Sequence, residues 1–465
     1  MKLVMGSSCG AKKRTLLMMY RTLVRPVLEY GLEAVQFAPL KYSKILQKVQ
    51  SSSLRICCGA MRSTPLCVLQ VSCNEMPLCL RWEYLCSKFR NKILSTIGHP
   101  CKSMLQYTWE EEWPRQKHFK TFRSITEPNT APSISKAQDD TSASLQAPPW
   151  TLDTPEADLR LIDTNSEFPQ LRFVTAMDHI DAKYSSFQHI YTDGSKTHTA
   201  TGSAFYVPSL QYNQSRIGSP LYSSFTAELE AIRMALNWAL LEHQQDIVIL
   251  SDCLSAISAI KAFHENRNFV VTEIINLVKD FKLSGRIVVF AWIPSHCGIP
   301  GNEKADRIAR TTANGTHNGP ITLTRTEANK WIFSIIKQKW NREYLKIPTG
   351  QHFKNFFPTV FQADNLGDKP TRYHRIVFRL RTGHCRLNQH LFKIGVTDSP
   401  LCNYCKSEET VSHFLMFCSK FRFERRLITK AVRAHAISFT LKNILTDHRV
   451  LDATVEFAIA SQRQL

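Results

Sequence analysis

Ile190-Tyr191-Thr192-Asp193-Gly194-Ser195-Lys196 decides how the chain is read. Phe187, His189 and Tyr191 alternate with Gln188, Ile190 and Thr192, the period-two pattern of a β-strand. The strand delivers one carboxylate, Asp193, directly before Gly194 and Ser195, where backbone can come close to a ligand, and the stretch predicts a turn at this point. A lone aspartate at a strand end is ordinarily a turn residue. The stretch gains weight only from three acids further along.

Glu228 stands among Leu229, Ile232, Leu236 and Leu240, which recur at helical spacing. Asp252 follows the apolar run Ile247-Val248-Ile249-Leu250, a buried-strand pattern, and precedes a second amphipathic helix from about Leu254 to Phe263. Asp306 lies on a helix entered through Pro300-Gly301, after the strand Ile287–Trp292. The predicted order is strand, hairpin (about 200–219), helix, strand, helix, helix, strand, helix, which is one mixed sheet with helices packed on it. Taken singly, each acid reads as a cap, a turn or a solvated surface group.

In this order, TDGS (192–195), TAELEAI (226–232), LSDCLSAI (250–257) and WIPSHCGIPGNEKADRIA (292–309) resemble a type 1 ribonuclease H domain. More narrowly, they are similar to the version carried at the end of non-LTR retrotransposon polyproteins of the Jockey-like kind. The likeness covers about 187–314. It implies an α/β ribonuclease H-like fold, a mixed five-stranded sheet with flanking helices. It also implies that Asp193, Glu228, Asp252 and Asp306 converge on two Mg²⁺ ions, with Mn²⁺ as the alternative. His296 then corresponds to the family's mobile histidine, which assists proton transfer and product release, and Gly194, Ser195 and Asn302 are taken as substrate contacts. The implied reaction is endonucleolytic hydrolysis of the RNA strand of an RNA–DNA hybrid, with RNA told from DNA by its 2′-hydroxyls. Carboxylates suit hard Mg²⁺, and a pair of ions about 3.5–4 Å apart can serve both the attacking and the leaving oxygen of a phosphodiester. Two departures stand out: Cys253 replaces a small hydroxyl residue, and Ser224-Phe225 replace asparagines that some cellular relatives use to grip DNA.

The formal net charge of +20 is unevenly spread. Residues 184–316 carry 11 basic and 11 acidic side chains, whereas 1–100 carry 15 against 4 and 317–465 carry 24 against 11. Basic flanks around a neutral catalytic block point to salt-dependent binding of a phosphate backbone, or to a generally basic solvated surface. No apolar run approaches the roughly 18 residues of a membrane span, and Gly6, Ser7, Ser8, Gly10 and Lys12 interrupt any signal-peptide core. An intracellular protein, cytoplasmic or nuclear, is expected, and its 14 cysteines should be reduced or metal-bound.

Residues 1–100 read as helices, with apolar faces at Leu16, Leu17, Tyr20, Leu23, Val24, Val27 and Leu28, and at Ile45, Leu46, Val49, Leu54 and Ile56. Arg21–Gly31, Leu46–Pro65 and Asn74–Phe89 resemble the segment that follows the palm of non-LTR reverse transcriptases. Cys57, Cys58, Cys67, Cys73, Cys79 and Cys86 lack paired metal-ligand spacing and read as buried thiols. Asp139-Asp140, the only Asp-Asp pair, sits in a polar Ser/Thr/Gln context and not on an apolar strand, so no reverse transcriptase activity is expected. Residues 101–183 read as a mostly flexible linker.

In 317–465, Ala328–Tyr344 reads as a helix. Arg372–Arg386 reads either as a basic helix against nucleic acid or as a plain amphipathic one. Cys402-x2-Cys405-x7-His413-x4-Cys418, within 402–418, has the donor set of one closed, structural zinc site, with Phe414, Leu415 and Phe417 as its small core. His384, Cys385 and His390 are reserve ligands. Arg379–Gly395 with this motif resembles the C-terminus of non-LTR polyproteins. The whole reads as a 5′-truncated retrotransposon polyprotein or a host protein derived from one, with a retrotransposon reverse transcriptase or RNA as an open partner. The rival reading is a non-catalytic nucleic-acid-binding remnant.

Overall fold

The computed structural model describes residues 10–30, 40–96, 99–101, 152–162, 168–242, 245–263, 268–317, 319, 321, 323–362 and 366–463. Asp139-Asp140 lie outside the described residues. The chain forms two compact units: Ser87–Ile332, and Met1–Cys86 together with Phe333–Leu465. Most of the two flanks, residues 1–86 and 333–465, supplies the second unit, whereas 87–100 and 317–332 fall in the first.

The first unit is built on a sheet of β1 (Glu156–Asp158), β2 (Gln188–Lys196), β3 (Thr201–Val207), β4 (Tyr212–Gly218), β5 (Ile247–Ser251) and β6 (Val288–Trp292). Its order is β1-β6-β5-β2-β3-β4. β3 is antiparallel to both β2 and β4, and the pairs β2–β5, β5–β6 and β6–β1 are parallel. The helices are α1 (Pro169–Tyr184), α2 (Ser224–Glu242), α3 (Leu254–Lys261), α4 (Phe269–Leu283) and α5 (Pro300–Ala313). Every residue of β5 is buried, as a central parallel strand covered on both faces must be. Ile247 and Ile249 join Ile190, Phe205 and Phe290 in a core with Leu229, Ile232 and Leu236 of α2 and Ile274 of α4. On the other face Val248 and Leu250 pack with Tyr191, Val289, Ile180 and Tyr184 of α1, and Ala305 of α5.

Small residues bring α5 close to the sheet. Gly301, Ala305, Ala309 and Ala313 recur every fourth residue and are all buried. A methyl group added at Gly202 of β3 would lie 2.1 Å from the Ala309 carbonyl oxygen, and one added at Gly301 would lie 2.3 Å from the Tyr191 ring. Pro300, in the first turn, starts this helix with φ already set.

Three expectations are corrected. The sheet has six strands and not five, because β1 pairs with β6 from Glu156↔Val289 to Asp158↔Ala291. Residues 101–183 are not linker throughout, since β1 and α1 fall inside them. β1 shows no periodicity in three residues, and what holds it is tertiary. Asp158 accepts bonds from Arg160 (Nε 3.1 Å), Lys183 Nζ (2.8 Å) and Tyr184 OH (2.7 Å), with His179 Nε2 at 2.9 Å. Burial alone would raise its pKa, but these partners together hold it well below the usual carboxylate range. Finally, β2 does not turn at Gly194. It runs on to Lys196, and Asp193 is a mid-strand residue paired with Ala204.

The second unit is helical. Leu40–Cys58 and Leu66–Cys73 pack together, with Cys57, Cys58, Cys67, Cys73 and Cys86 as buried free thiols and Cys79 exposed. Leu16, Tyr20 and Leu54 are fully buried, but Leu23, Val27, Ile45 and Val49 face outward, so the apolar stripes exceed the surface covered. Thr371–Thr382 buries Ile376, Val377, Phe378 and Leu380. Its Arg379 Nε donates to the Gly59 carbonyl (2.9 Å) and its Arg381 Nε to that of Leu445 (2.7 Å), so two of its arginines hold backbone inside the unit. Among the described residues no helix is long and apolar enough to cross a membrane.

Candidate functional site

The sheet unit brings Asp193, Glu228 and Asp252 together: a carboxylate oxygen from each lies within 4.8 Å of the other two. Each arrives by a different route. Asp193 is carried by β2. Glu228 is in the opening turns of α2. Asp252 stands in the crossover from β5 to α3, where its backbone oxygen accepts the Trp292 Nε1–H (3.0 Å) and its Oδ2 accepts Asn302 Nδ2 (3.2 Å).

Gly194 makes the first two meet. A Cβ there would stand 2.3 Å from the Glu228 nitrogen, so only glycine lets β2 lie against the backbone of α2. Ser203 Oγ, on the next strand, donates to the Ala227 carbonyl at 2.7 Å and ties down the same turn. From the opposite side comes Glu327, buried at the start of the helix Arg325–Lys346. Its Oε1 accepts the Ser223 N–H (2.6 Å) and the Thr226 hydroxyl (2.7 Å), while Oε2 accepts the N–H and hydroxyl of Thr324 (3.1 and 2.9 Å). Thr324-x-x-Glu327 is a capping box, legible in sequence as a helix start. Its second use, across to α2, is not legible there.

The electrostatics are those of a crowded acidic site. Burial, then the charges of Asp252 and Asp306, push the Asp193 carboxyl up to about 7. Burial and the neighbouring Asp193 raise Glu228 well above its ordinary value. Burial also raises Asp252, opposed by the Asn302 bond and the charge of His296. Glu228 Oε2 is buried with no hydrogen-bond partner. An unpaired buried oxygen among three crowded carboxylates fits a divalent cation of the hard, oxygen-preferring kind.

Asp306 lies outside this trio. Its Oδ1 pairs with Arg310 Nε at 2.8 Å, one turn further along α5, although its charge reaches the other three acids. His296 is exposed at the tip of a loop anchored by buried Cys297 and Ile299, and holds φ at 51°. A left-handed backbone costs a non-glycine residue on the order of 1 kcal/mol, and here it leaves the imidazole in solvent on the Asp252 side. Ser195 is half-buried on β2, and Asn302 is buried against Asp252 with its Oδ1 unpartnered.

The helical unit holds a second constellation. Cys402, Cys405, His413 and Cys418 place one ligand atom each within 4.8 Å of all the others. Sγ of Cys402 and Cys418 are 3.8 Å apart, Cys405 and Cys418 are 4.0 Å apart, and Cys405 Sγ lies 3.1 Å from His413 Nε2. Metal–sulfur bonds of about 2.3 Å at tetrahedral angles span about 3.8 Å between sulfurs. Phe414 and Leu415 are fully buried, Phe414 against Phe421 and Phe457, whereas Phe417 points outward, a correction to the expected core. His384 Nδ1 and His390 Nε2 both face Ser63 Oγ (3.1 and 2.9 Å), and with Cys385 they stand outside the cluster.

The RNase H family model matches residues 186–314. That stretch is an RNase H domain. It contains Asp193, Glu228, Asp252, His296 and Asp306, while β1, α1 and Glu327 lie beyond the matched residues. No curated protein matches the chain.

Proposed function

We propose that this protein hydrolyses the RNA strand of RNA–DNA hybrids, using Asp193, Glu228 and Asp252, with Asp306 completing the set, to hold two Mg²⁺ ions. The observation that carries the reading is the trio of mutually repelling carboxylates inside an RNase H domain, Asp193 and Glu228 buried and Asp252 half-buried, with Glu228 Oε2 unpartnered. When bound, the ions supply charge for a phosphodiester oxygen and a water acidic enough to attack. Asn302 orients Asp252 from α5. Trp292 fixes the backbone of the same residue. Asp306 would join by exchanging its Arg310 partner for the site, and the exposure of His296 supports a role in carrying protons to and from solvent.

The Cys402–Cys418 cluster is read as one structural zinc site: four protein ligands leave no open position for water. The retrotransposon origin rests on the sequence resemblances given above. The test is a labelled RNA–DNA hybrid with the full chain, Mg²⁺ present or withheld. Mg²⁺-dependent RNA cleavage is expected from wild type and none from Asp193→Asn. Equal cleavage by both, or binding of hybrid without cleavage by wild type, refutes the assignment; the second outcome favours a non-catalytic binding protein.

A further inference from the structure

We propose that Glu327 is a positioning residue for the carboxylate site, so that the working catalytic unit extends past residue 314, where the family match ends. The inference starts from the first turn of α2. The opening N–H groups of a helix have no partner within it, and helix ends fray. The residue that follows that turn is Glu228, which is repelled by Asp193 and Asp252 and has one oxygen unpartnered. When the three acids are charged and no cation is bound, their repulsion pushes this end of the helix outward.

Two sets of contacts oppose that push. From the sheet, Gly194 and Ser203 seat Ala227 and Glu228. From the other side, Glu327 Oε1 takes the Ser223 N–H and the Thr226 hydroxyl, and Thr226 is two residues before Glu228. The carboxylate is itself fixed, because Oε2 is filled by Thr324 and its own N–H donates to Thr324 Oγ1 at 3.3 Å. A negative charge at a helix N-terminus is also the favourable sign for the helix dipole. Both oxygens of Glu327 are committed to protein donors, so it acts through α2 and not on substrate.

The inference leans on the hybrid-cleavage reading only for its activity measurement. Wild-type full chain, Glu327→Gln and Thr226→Val are compared in two ways: kcat and KM on an RNA–DNA hybrid as Mg²⁺ is varied, and melting temperature as Mg²⁺ is varied without substrate. Outer-shell partners of metal sites change affinity or activity by about 10–100-fold, and Glu327 acts one step further out. Glu327→Gln should therefore lower kcat by about tenfold and raise the Mg²⁺ midpoint by about threefold or more, with KM for the hybrid within about twofold of wild type. Thr226→Val, which removes one of the two donors, should fall between.

A Glu327→Gln protein that melts lower but keeps the wild-type kcat and Mg²⁺ midpoint overturns the proposal, since that is what a purely structural cap does. Should Glu327→Gln not fold, Thr226→Val decides by the same two readouts. A wild type that fails to cleave refutes the hybrid-cleavage reading, and Glu327 is then judged on the Mg²⁺ midpoint of melting alone. A wild type whose melting ignores Mg²⁺ overturns the inference as well.

Discussion

Replacing Asp193 by asparagine should stabilise the protein when Mg²⁺ is absent, although it abolishes the proposed activity. In the fold the Asp193 carboxyl titrates at about 7, pushed there by burial and by Asp252 and Asp306, against about 3.9 in an unfolded chain. The folded state therefore holds this proton more tightly. Its contribution to stability is complete below about pH 4 and drains away as pH rises through about 7. Three decades of proton affinity, at about 1.4 kcal/mol each, set a ceiling of about 4 kcal/mol on the cost of the charged form. Relaxation and solvent entry take part of it. About 2 kcal/mol is expected, or about 4–8 °C in melting temperature for a unit of this size. Thermal unfolding of the full chain in Mg²⁺-free, zinc-containing buffer measures it. At about pH 8 Asp193→Asn should melt above wild type, and at about pH 4 the two should coincide. Millimolar Mg²⁺ should raise wild type alone and so shrink or reverse the gap. An Asp193→Asn protein that melts lower than wild type at pH 8, or by a margin independent of pH, would refute the account of a charge-crowded site.

Further outcomes follow from other contacts. Gly194→Ala forces a methyl group to within 2.3 Å of the Glu228 nitrogen, so cleavage should be lost even though all four acids remain; full activity would show that β2 and α2 have room to separate. Asp158→Asn replaces the charged acceptor shared by Arg160, Lys183 and Tyr184 with a neutral amide and should destabilise the sheet unit by about 2 kcal/mol, the range for hydrogen bonds to a charged group, as read by thermal melting. Because Asp158 titrates well below an ordinary carboxylate, that stability is present above about pH 4 and lost as pH falls further, so wild type and variant should converge in acid melts. Cys405→Ser should abolish zinc retention, read by metal analysis after dialysis, and expose the chain near 400–420 to protease. Phe414→Ala should lower stability by about 3–5 kcal/mol, whereas Phe417→Ser should cost less than about 1 kcal/mol, as seen in denaturant melts.

What the sequence conveyed and what it withheld divide along the range of the interactions. The apolar run 247–250 and the helical repeat after Glu228 are local, and β5 and α2 appear where they were expected. The Cys402–Cys418 spacing is equally local, since a short loop and one turn bring the four ligands together. β1 was invisible because three residues carry no period, and its place depends on the donors Lys183 and Tyr184 of α1, 25 and 26 residues beyond Asp158. Phe417 shows the limit of composition: an aromatic beside two buried neighbours still points outward on its turn. At the site, the motif order singled out the acids, but the close approach of Gly194 to the Glu228 backbone is set by a helix thirty-odd positions away. Asn302 likewise belongs to Asp252, a pairing set by the meeting of α5 with the β5–α3 crossover.

The stripe Gly301, Ala305, Ala309 and Ala313 has a mechanical consequence. The stripe Asn302, Asp306 and Arg310 runs one residue behind it on the same helix. Contact with Gly202 and Tyr191 leaves α5 no clearance to slide or roll, and interiors packed at this density yield little. Asp306 therefore cannot reach its neighbours by a shift of its helix. Whatever it gains in reach must come from torsion about its own side-chain bonds as Arg310, itself largely in solvent, lets go. Under the proposed role of Asp306, arming the site is a matter of rotamer exchange on a platform that stays still.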